Sequence, residues 1–299
     1  SQYGGLRVTY NGGNDWDNVK PVSYEGAWVT PYKMHPQDNN ILVSGYNAVY
    51  RSVNGALSWD SISPPFGELK TIALAPSNTD YIYAATYSGL WITKDDGINW
   101  DYIKTGLPSG TISDVTVASN NEDRVFVTLS SYTENQKVYE STNAGNTWTN
   151  ISGTNLPNLP VNCIVFQSYT NDDLYIGTDI GVWHKDNNMT EWQMFNNGLP
   201  SVSVSELEIQ YLTGKLKAAT FGRGVWESDL HTAPSAISDF DRELFSVYPN
   251  PVEDKLIVKT PFGQKNFLLK IYSLTGQLVL EINLENDVQI VNCSNLKTG

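Results

Sequence analysis

Thr93-Lys-Asp-Asp-Gly-Ile-Asn-Trp100 is one of five versions of a single phrase. The others are Thr9-Tyr-Asn-Gly-Gly-Asn-Asp-Trp16, Ser52-Val-Asn-Gly-Ala-Leu-Ser-Trp59, Ser141-Thr-Asn-Ala-Gly-Asn-Thr-Trp148 and a worn Lys185-Asp-Asn-Asn-Met-Thr-Glu-Trp192. The closing tryptophans are spaced by 43, 41, 48 and 44 residues. A nearly fixed period of this size marks a repeat architecture.

The phrase has a physical reading. A Ser or Thr, with an Asp or Asn two residues on (Asn11, Asn54, Asp95 and Asn143), can bond the backbone N–H groups of a tight turn. Gly13, Gly97 and Gly145 supply the positive φ such a turn needs. Trp16, Trp59, Trp100, Trp148 and Trp192 each offer an apolar plate to a neighbouring unit. In the second copy the glycine, Gly55, sits one residue early, and the fifth copy has none. Both turns are expected to be less regular.

Nine residues before each tryptophan stand Arg7, Tyr50, Trp91, Tyr139 and Trp183. Upstream lie two alternating or apolar runs, such as Thr71-Ile-Ala-Leu-Ala and Tyr81-Ile-Tyr-Ala-Ala-Thr. The third run carries the aromatic residue and the fourth starts at the tryptophan. Four short strands in about 45 residues predict a β-propeller blade, and no stretch of helical period competes.

The phrase resembles the Asp-box repeat, S/T-x-D/N-x-G-x-x-W, of sialidase-like, sortilin-like and xyloglucanase-like propellers. The resemblance covers about residues 1–230. It implies a fold more than an activity, since the box is a structural turn. The chain is expected to open inside a third strand, at Gly5-Leu-Arg-Val-Thr, and Val204–Leu230 to form a last unit of three strands without a box. About five repeats are visible in a propeller read as truncated at its N-terminus.

Residues 1–232 hold 13 basic and 24 acidic side chains, whereas residues 246–299 hold five of each. The acidity belongs to the propeller, which argues against nucleic acid as a partner. Cys163 and Cys293 make no disulfide framework, and His35, His184 and His231 stand apart in the sequence, so neither metal nor cofactor is expected.

From residue 231 the pattern changes. Residues 231–244 read as a Pro- and Ser-containing linker, and residues 245–299 as a small antiparallel, immunoglobulin-like sandwich. Here Tyr248-Pro249-Asn250-Pro251 is followed by a strand ending in Leu256-Ile-Val, then by Ile271-Tyr-Ser-Leu274-Thr275-Gly276-Gln-Leu-Val. This combination resembles the type A sorting domain of the type IX secretion system of Bacteroidota. The family continues into a final strand, which is expected to be missing here. The resemblance implies passage through the periplasm to the surface or the medium. It implies translocon, shuttle and sortase components as partners of residues 245–299, and cleavage between Ala233 and Glu243.

Sialidase chemistry needs an arginine cluster, and the propeller has only Arg7, Arg51, Arg124 and Arg223. Asp114, Asp179 and Glu206 lie near inner strands, but no spacing singles out a glycosidase pair, and they read as solvated surface acids. Loops joining second and third strands offer Tyr46, Tyr87, Tyr132, Asp179, Phe221 and Arg223 as candidate ligand contacts. Connectors to the following blade repeat Leu-Pro, at Leu107-Pro108, Leu156-Pro157 and Leu199-Pro200, and read as rigid linkers. The expected function is a non-catalytic adhesion module for a glycan, peptide or surface protein. The alternative is a fragment of a two-propeller, xyloglucanase-like glycoside hydrolase.

Overall fold

The computed structural model describes residues 3–36, 38–196, 198–211, 213–231, 246–248, 254–259, 267–272, 278–284 and 288–294. Every regular element among them is a strand. The chain divides into two compact units, Ser1–Ala233 and Pro234–Gly299.

The first unit is built from antiparallel sheets in sequence order. Four of them have four strands. These are β3 to β6 (Tyr32–Met34, Leu42–Gly45, Val49–Ser52, Asp60–Ser61) and β7 to β10 (Leu69–Leu74, Ile82–Thr86, Leu90–Thr93, Asp101–Tyr102). Then come β11 to β14 (Thr111–Val117, Val125–Ser130, Val138–Ser141, Thr149–Asn150) and β15 to β18 (Val161–Phe166, Leu174–Thr178, Gly181–Lys185, Gln193–Met194). Before them lies a pair, β1 (Arg7–Val8) and β2 (Asp17–Asn18); after them a triplet, β19 (Val204–Gln210), β20 (Lys215–Thr220) and β21 (Gly224–Asp229). The fourth strand of each blade begins one residue after the box tryptophan, not at it.

Burial follows position in the blade. Second strands such as Ile82–Thr86 and Leu174–Thr178 are buried at every residue. Their near-continuous apolar run is what a strand covered on both faces requires. Fourth strands are two residues long and exposed, which blunts the outer edges. The register slips at one equivalent place in four first strands: Leu69/Thr71, Ile112/Asp114, Val161/Cys163 and Val204/Glu206. Such bulges re-aim the next side chain.

The box turns share one set of bonds. The Thr93 hydroxyl accepts from the Gly97 N–H at 2.8 Å and donates to Asp95 Oδ1 at 2.8 Å, which in turn accepts from the Asn99 N–H at 2.8 Å. Thr9, Ser52 and Ser141 do the same with Asn11, Asn54 and Asn143. Two consecutive residues take positive φ: Gly12 and Gly13, Gly55 and Ala56, Asp96 and Gly97, Ala144 and Gly145. The second turn is therefore as regular as the others, contrary to expectation. Gly55 serves the first left-handed position and Ala56, at φ 71°, bears the second. The fifth turn does differ: Asp186 Oδ1 accepts from the Asn188 N–H, and none of its residues has positive φ.

The tryptophans carry the register between blades. The indole N–H donates to the carbonyl that follows the fourth strand of the preceding blade. The pairs are Trp59 to Val19 (2.7 Å), Trp100 to Ile62 (2.8 Å), Trp148 to Ile103 (2.9 Å) and Trp192 to Ile151 (2.9 Å). Trp192 is fully buried, whereas Trp59, Trp100 and Trp148 are only half-buried, less than a core plate would be. Trp16 is 57% exposed and bonds the Gly13 carbonyl within its own turn. Charged ties add to the indoles. Arg51 on β5 pairs with Asp96 in the next box, and Arg124 reaches Glu140 at 2.6 Å and Asp172 of the next blade at 2.5 Å.

The second unit contains β22 (Ser246–Tyr248), β23 (Lys255–Lys259) and β26 (Val288–Asn292) in one sheet, and β24 (Phe267–Tyr272) with β25 (Leu278–Leu284) in another. Leu256, Val258, Leu284, Val291 and Cys293 form its core. Of the sorting motif, Tyr248 ends β22; Pro249, Asn250, Pro251, Leu274, Thr275 and Gly276 lie outside the described residues, as do 232–245.

Candidate functional site

Two places in the first unit could receive a ligand. One is the side bearing the loops between second and third strands. There Tyr87, Tyr132 and Phe221 are 47, 67 and 82% exposed, and Arg223 is exposed beside Phe221. They stand on connections between rigid strands, and exposed aromatic rings there are suited to stacking on a sugar ring or a planar side chain.

Tyr46 does not join them. It is 1% exposed, its hydroxyl donates to the Gly4 carbonyl at 2.6 Å, and burial pushes its phenol up to about 12. Gly4 and Gly26 leave the notch: a Cβ at either would stand 2.4 or 3.0 Å from the ring. Tyr46 is thus a packing residue, and its assignment as a ligand contact is corrected. Asp179 is part-buried and committed to structure, its Oδ1 accepting from Asn162 Nδ2 at 3.0 Å and from the Ser203 hydroxyl at 3.1 Å. It ties β15 to the approach to β19.

The second place is the channel lined by first strands. A cavity of about 650 Å³ there is bordered by Lys33, Asp114, Glu206, Glu208, Tyr169 and Tyr211. Asp114 is no solvated surface acid. Its Oδ1 accepts from the Thr71 hydroxyl at 2.8 Å and the Val115 N–H at 2.9 Å, and its Oδ2 accepts from the Ile164 N–H at 3.1 Å. One carboxylate therefore joins β7, β11 and β15. Burial raises its pKa in spite of these bonds. Glu206 borders the channel, and desolvation of its carboxyl, then the nearby Asp114 charge, raise its pKa as well.

A second correction concerns the histidines. His184 and His231 do not stand apart in space, because the fold stacks their rings with centroids 4.0 Å apart. No local signal in the sequence announces this, since the approach is made between blades.

A second cavity, about 730 Å³, lies between β1 and the second blade and is lined by Leu6, Tyr10, Trp16, Met34 and Trp59.

Residues 246–299 match the family model of the secretion system C-terminal sorting domain. No curated protein matches the chain. Among solved structures, it is similar to an ancestral GH74 enzyme (15% identity, TM-score 0.56), covering 85% of this chain and 38% of that one. It is similar to the GH74 xyloglucanase from Xanthomonas campestris (16%, TM-score 0.54), covering 83% and 46% respectively. It is also similar to the extracellular domain of a putative hybrid two component system from B. thetaiotaomicron (16%, TM-score 0.59), covering 78% and 30%. The chain spans less than half the length of each, and at these identities the likeness is one of fold. The chain is thus a β-propeller followed by a type IX sorting domain, which marks it for export through the periplasm to the cell surface or the medium.

Proposed function

We propose that residues 1–230 form a non-catalytic binding module for a glycan or an extended peptide, carried to the surface by residues 245–299 across the linker 231–244. The supporting observation is the exposed aromatic set Tyr87, Tyr132 and Phe221, with Arg223, on one side of the ring. The carboxylates nearest the channel support the non-catalytic half. Both oxygens of Asp114 are occupied by structural donors, which argues against acid–base work by this carboxylate beside Glu206. In this reading the translocon, shuttle and sortase act on residues 245–299 and leave the propeller as the working part.

The test is binding of the purified chain to an immobilised panel of glycans and surface-protein peptides. Phe221→Ala and Tyr132→Ala should abolish capture while leaving the melting temperature unchanged. Absence of binding across the panel, or binding indifferent to both changes, overturns the proposal. The second reading, a fragment of a glycoside hydrolase, is favoured by the fold shared with GH74 enzymes and by the raised pKa of Glu206. Hydrolysis of xyloglucan that is lost in Glu206→Gln would establish it.

A further inference from the structure

Asp173, His184 and His231 are far apart in the chain and meet at one point. His184 lies on β17, Asp173 immediately before β16, and His231 just beyond β21. His184 Nε2 stands 2.6 Å from Asp173 Oδ1, and His231 Nδ1 approaches the same oxygen at 3.6 Å. One donor atom from each residue falls within 4.8 Å of the other two. Asp173 and His184 are buried, while the His231 side chain is 43% exposed.

A surrounding set of bonds holds these positions. The Tyr175 hydroxyl accepts from the His231 N–H at 2.9 Å and donates to Gln167 Oε1 at 2.9 Å. The Gln167 N–H reaches the Asp173 carbonyl at 2.8 Å, and the Asp173 N–H reaches the Thr170 hydroxyl at 3.2 Å. Phe195 packs beside Tyr175, His184 and His231. The carboxylate and the first imidazole thus leave water at a real desolvation cost. Among the described residues, nothing accepts or donates at His184 Nδ1, so no second bond fixes the ring's tautomer.

We propose that Asp173, His184 and His231 bind a divalent cation of the zinc class. Two imidazoles and a carboxylate are the donor set such ions select. Metal–ligand distances of about 2.0–2.2 Å put the ligand atoms of a tetrahedral site roughly 3.3–3.6 Å apart. The His231–Asp173 separation already has this value. The 2.6 Å His184–Asp173 contact is the width of a proton bridge, which the ion would replace and open by under about 1 Å. The bonds through Tyr175, Gln167 and Thr170 fix the main chain that carries Asp173 and His231. Bound metal would fasten residue 231, where the propeller ends and residues 232–245 begin, to the fifth blade.

The experiment uses the full chain, stripped with chelator and titrated with Co²⁺ by visible absorption and with Zn²⁺ by calorimetry. The expected result is equimolar binding with a Co²⁺ spectrum of tetrahedral intensity, and a melting temperature raised by Zn²⁺. His231→Ala, chosen because this side chain is partly exposed, should keep the fold by circular dichroism and weaken binding by about tenfold or more. His35→Ala should bind as the parent does. Failure of the parent to bind, or parent-level affinity in His231→Ala and Asp173→Asn, overturns the proposal and leaves a hydrogen-bonded His–Asp pair.

Discussion

The second and fifth box turns depart from the repeat in opposite ways. The second loses its glycine at the inner position, yet keeps every side-chain bond of the turn, with Ala56 accepting a positive φ. The fifth abandons those bonds and the left-handed pair, yet Trp192 still donates to the Ile151 carbonyl and is fully buried. What the repeat maintains throughout its later blades is the indole-to-backbone tie. The turn is one means of aiming the indole, and it can be replaced.

The largest expected effect tests that ranking. Trp100→Ala and Trp192→Ala should each cost about 3–5 kcal/mol in the unfolding free energy read from denaturant titration, despite the different turns before them. Trp16→Ala, at an exposed indole bonded only to its own turn, should stay within about 0.5 kcal/mol. A Trp192 variant as mild as the Trp16 variant would break the comparison.

Glycine gives the next effect. A Cβ on Gly97 would meet the Ile62 carbonyl at 2.6 Å, whereas one on Gly13 would meet nothing closer than Trp16 at 3.8 Å. Both positions have positive φ. Gly97→Ala should therefore carry a left-handed cost of about 1–2 kcal/mol plus an overpacking cost of about 1–3 kcal/mol, and Gly13→Ala only the first. Thermal unfolding of the pair separates the two costs.

Removing the hydroxyl in Thr93→Val should cost about 1–3 kcal/mol, since the half-buried N–H of Gly97 loses its acceptor. A free substitution would mean that the turn bonding kept by the second box contributes nothing. The smallest effect concerns acid. Hydrogen bonds from the backbone and side chain of Asn99 hold the Asp95 carboxyl below its ordinary 3.8. A carboxylate lowered in this way adds stability above that ordinary value and loses it as pH falls through the folded value. The other three regular boxes carry Asn at this position and have no such dependence. Asp95→Asn should therefore remove a small part of the acid-induced loss of stability, read as a flatter melting profile below pH 3.8.

The fold was legible because the inter-blade tie depends on one rare residue type at a nearly constant spacing, with the buried second strands spelled out as apolar runs. The sites were less so. Gly45-Tyr46-Asn47 reads as an exposed loop tip, and only the notch left by Gly4 and Gly26 makes Tyr46 a core residue. Asp114 looks like any acid of an acidic domain until three donors from three strands converge on it. The meeting of His184 and His231 depends on how the sixth blade returns across the fifth, which no local pattern encodes. Ala56 shows the same limit on a smaller scale, since the sequence displays a displaced glycine but not the strain the turn tolerates in its place.

The acceptor of each indole tie is a main-chain carbonyl, and every residue has one. Val19, Ile62, Ile103 and Ile151 differ in type, but all offer the same oxygen at the same place in the blade. The indole half of the joint therefore asks of the preceding blade only that its fourth strand finish correctly, whereas the Arg51–Asp96 and Arg124–Asp172 ties need matched side chains. Such a joint lets genes lengthen, shorten or shuffle a propeller by whole blades, and leaves the loops on the opposite side free to diverge towards new ligands.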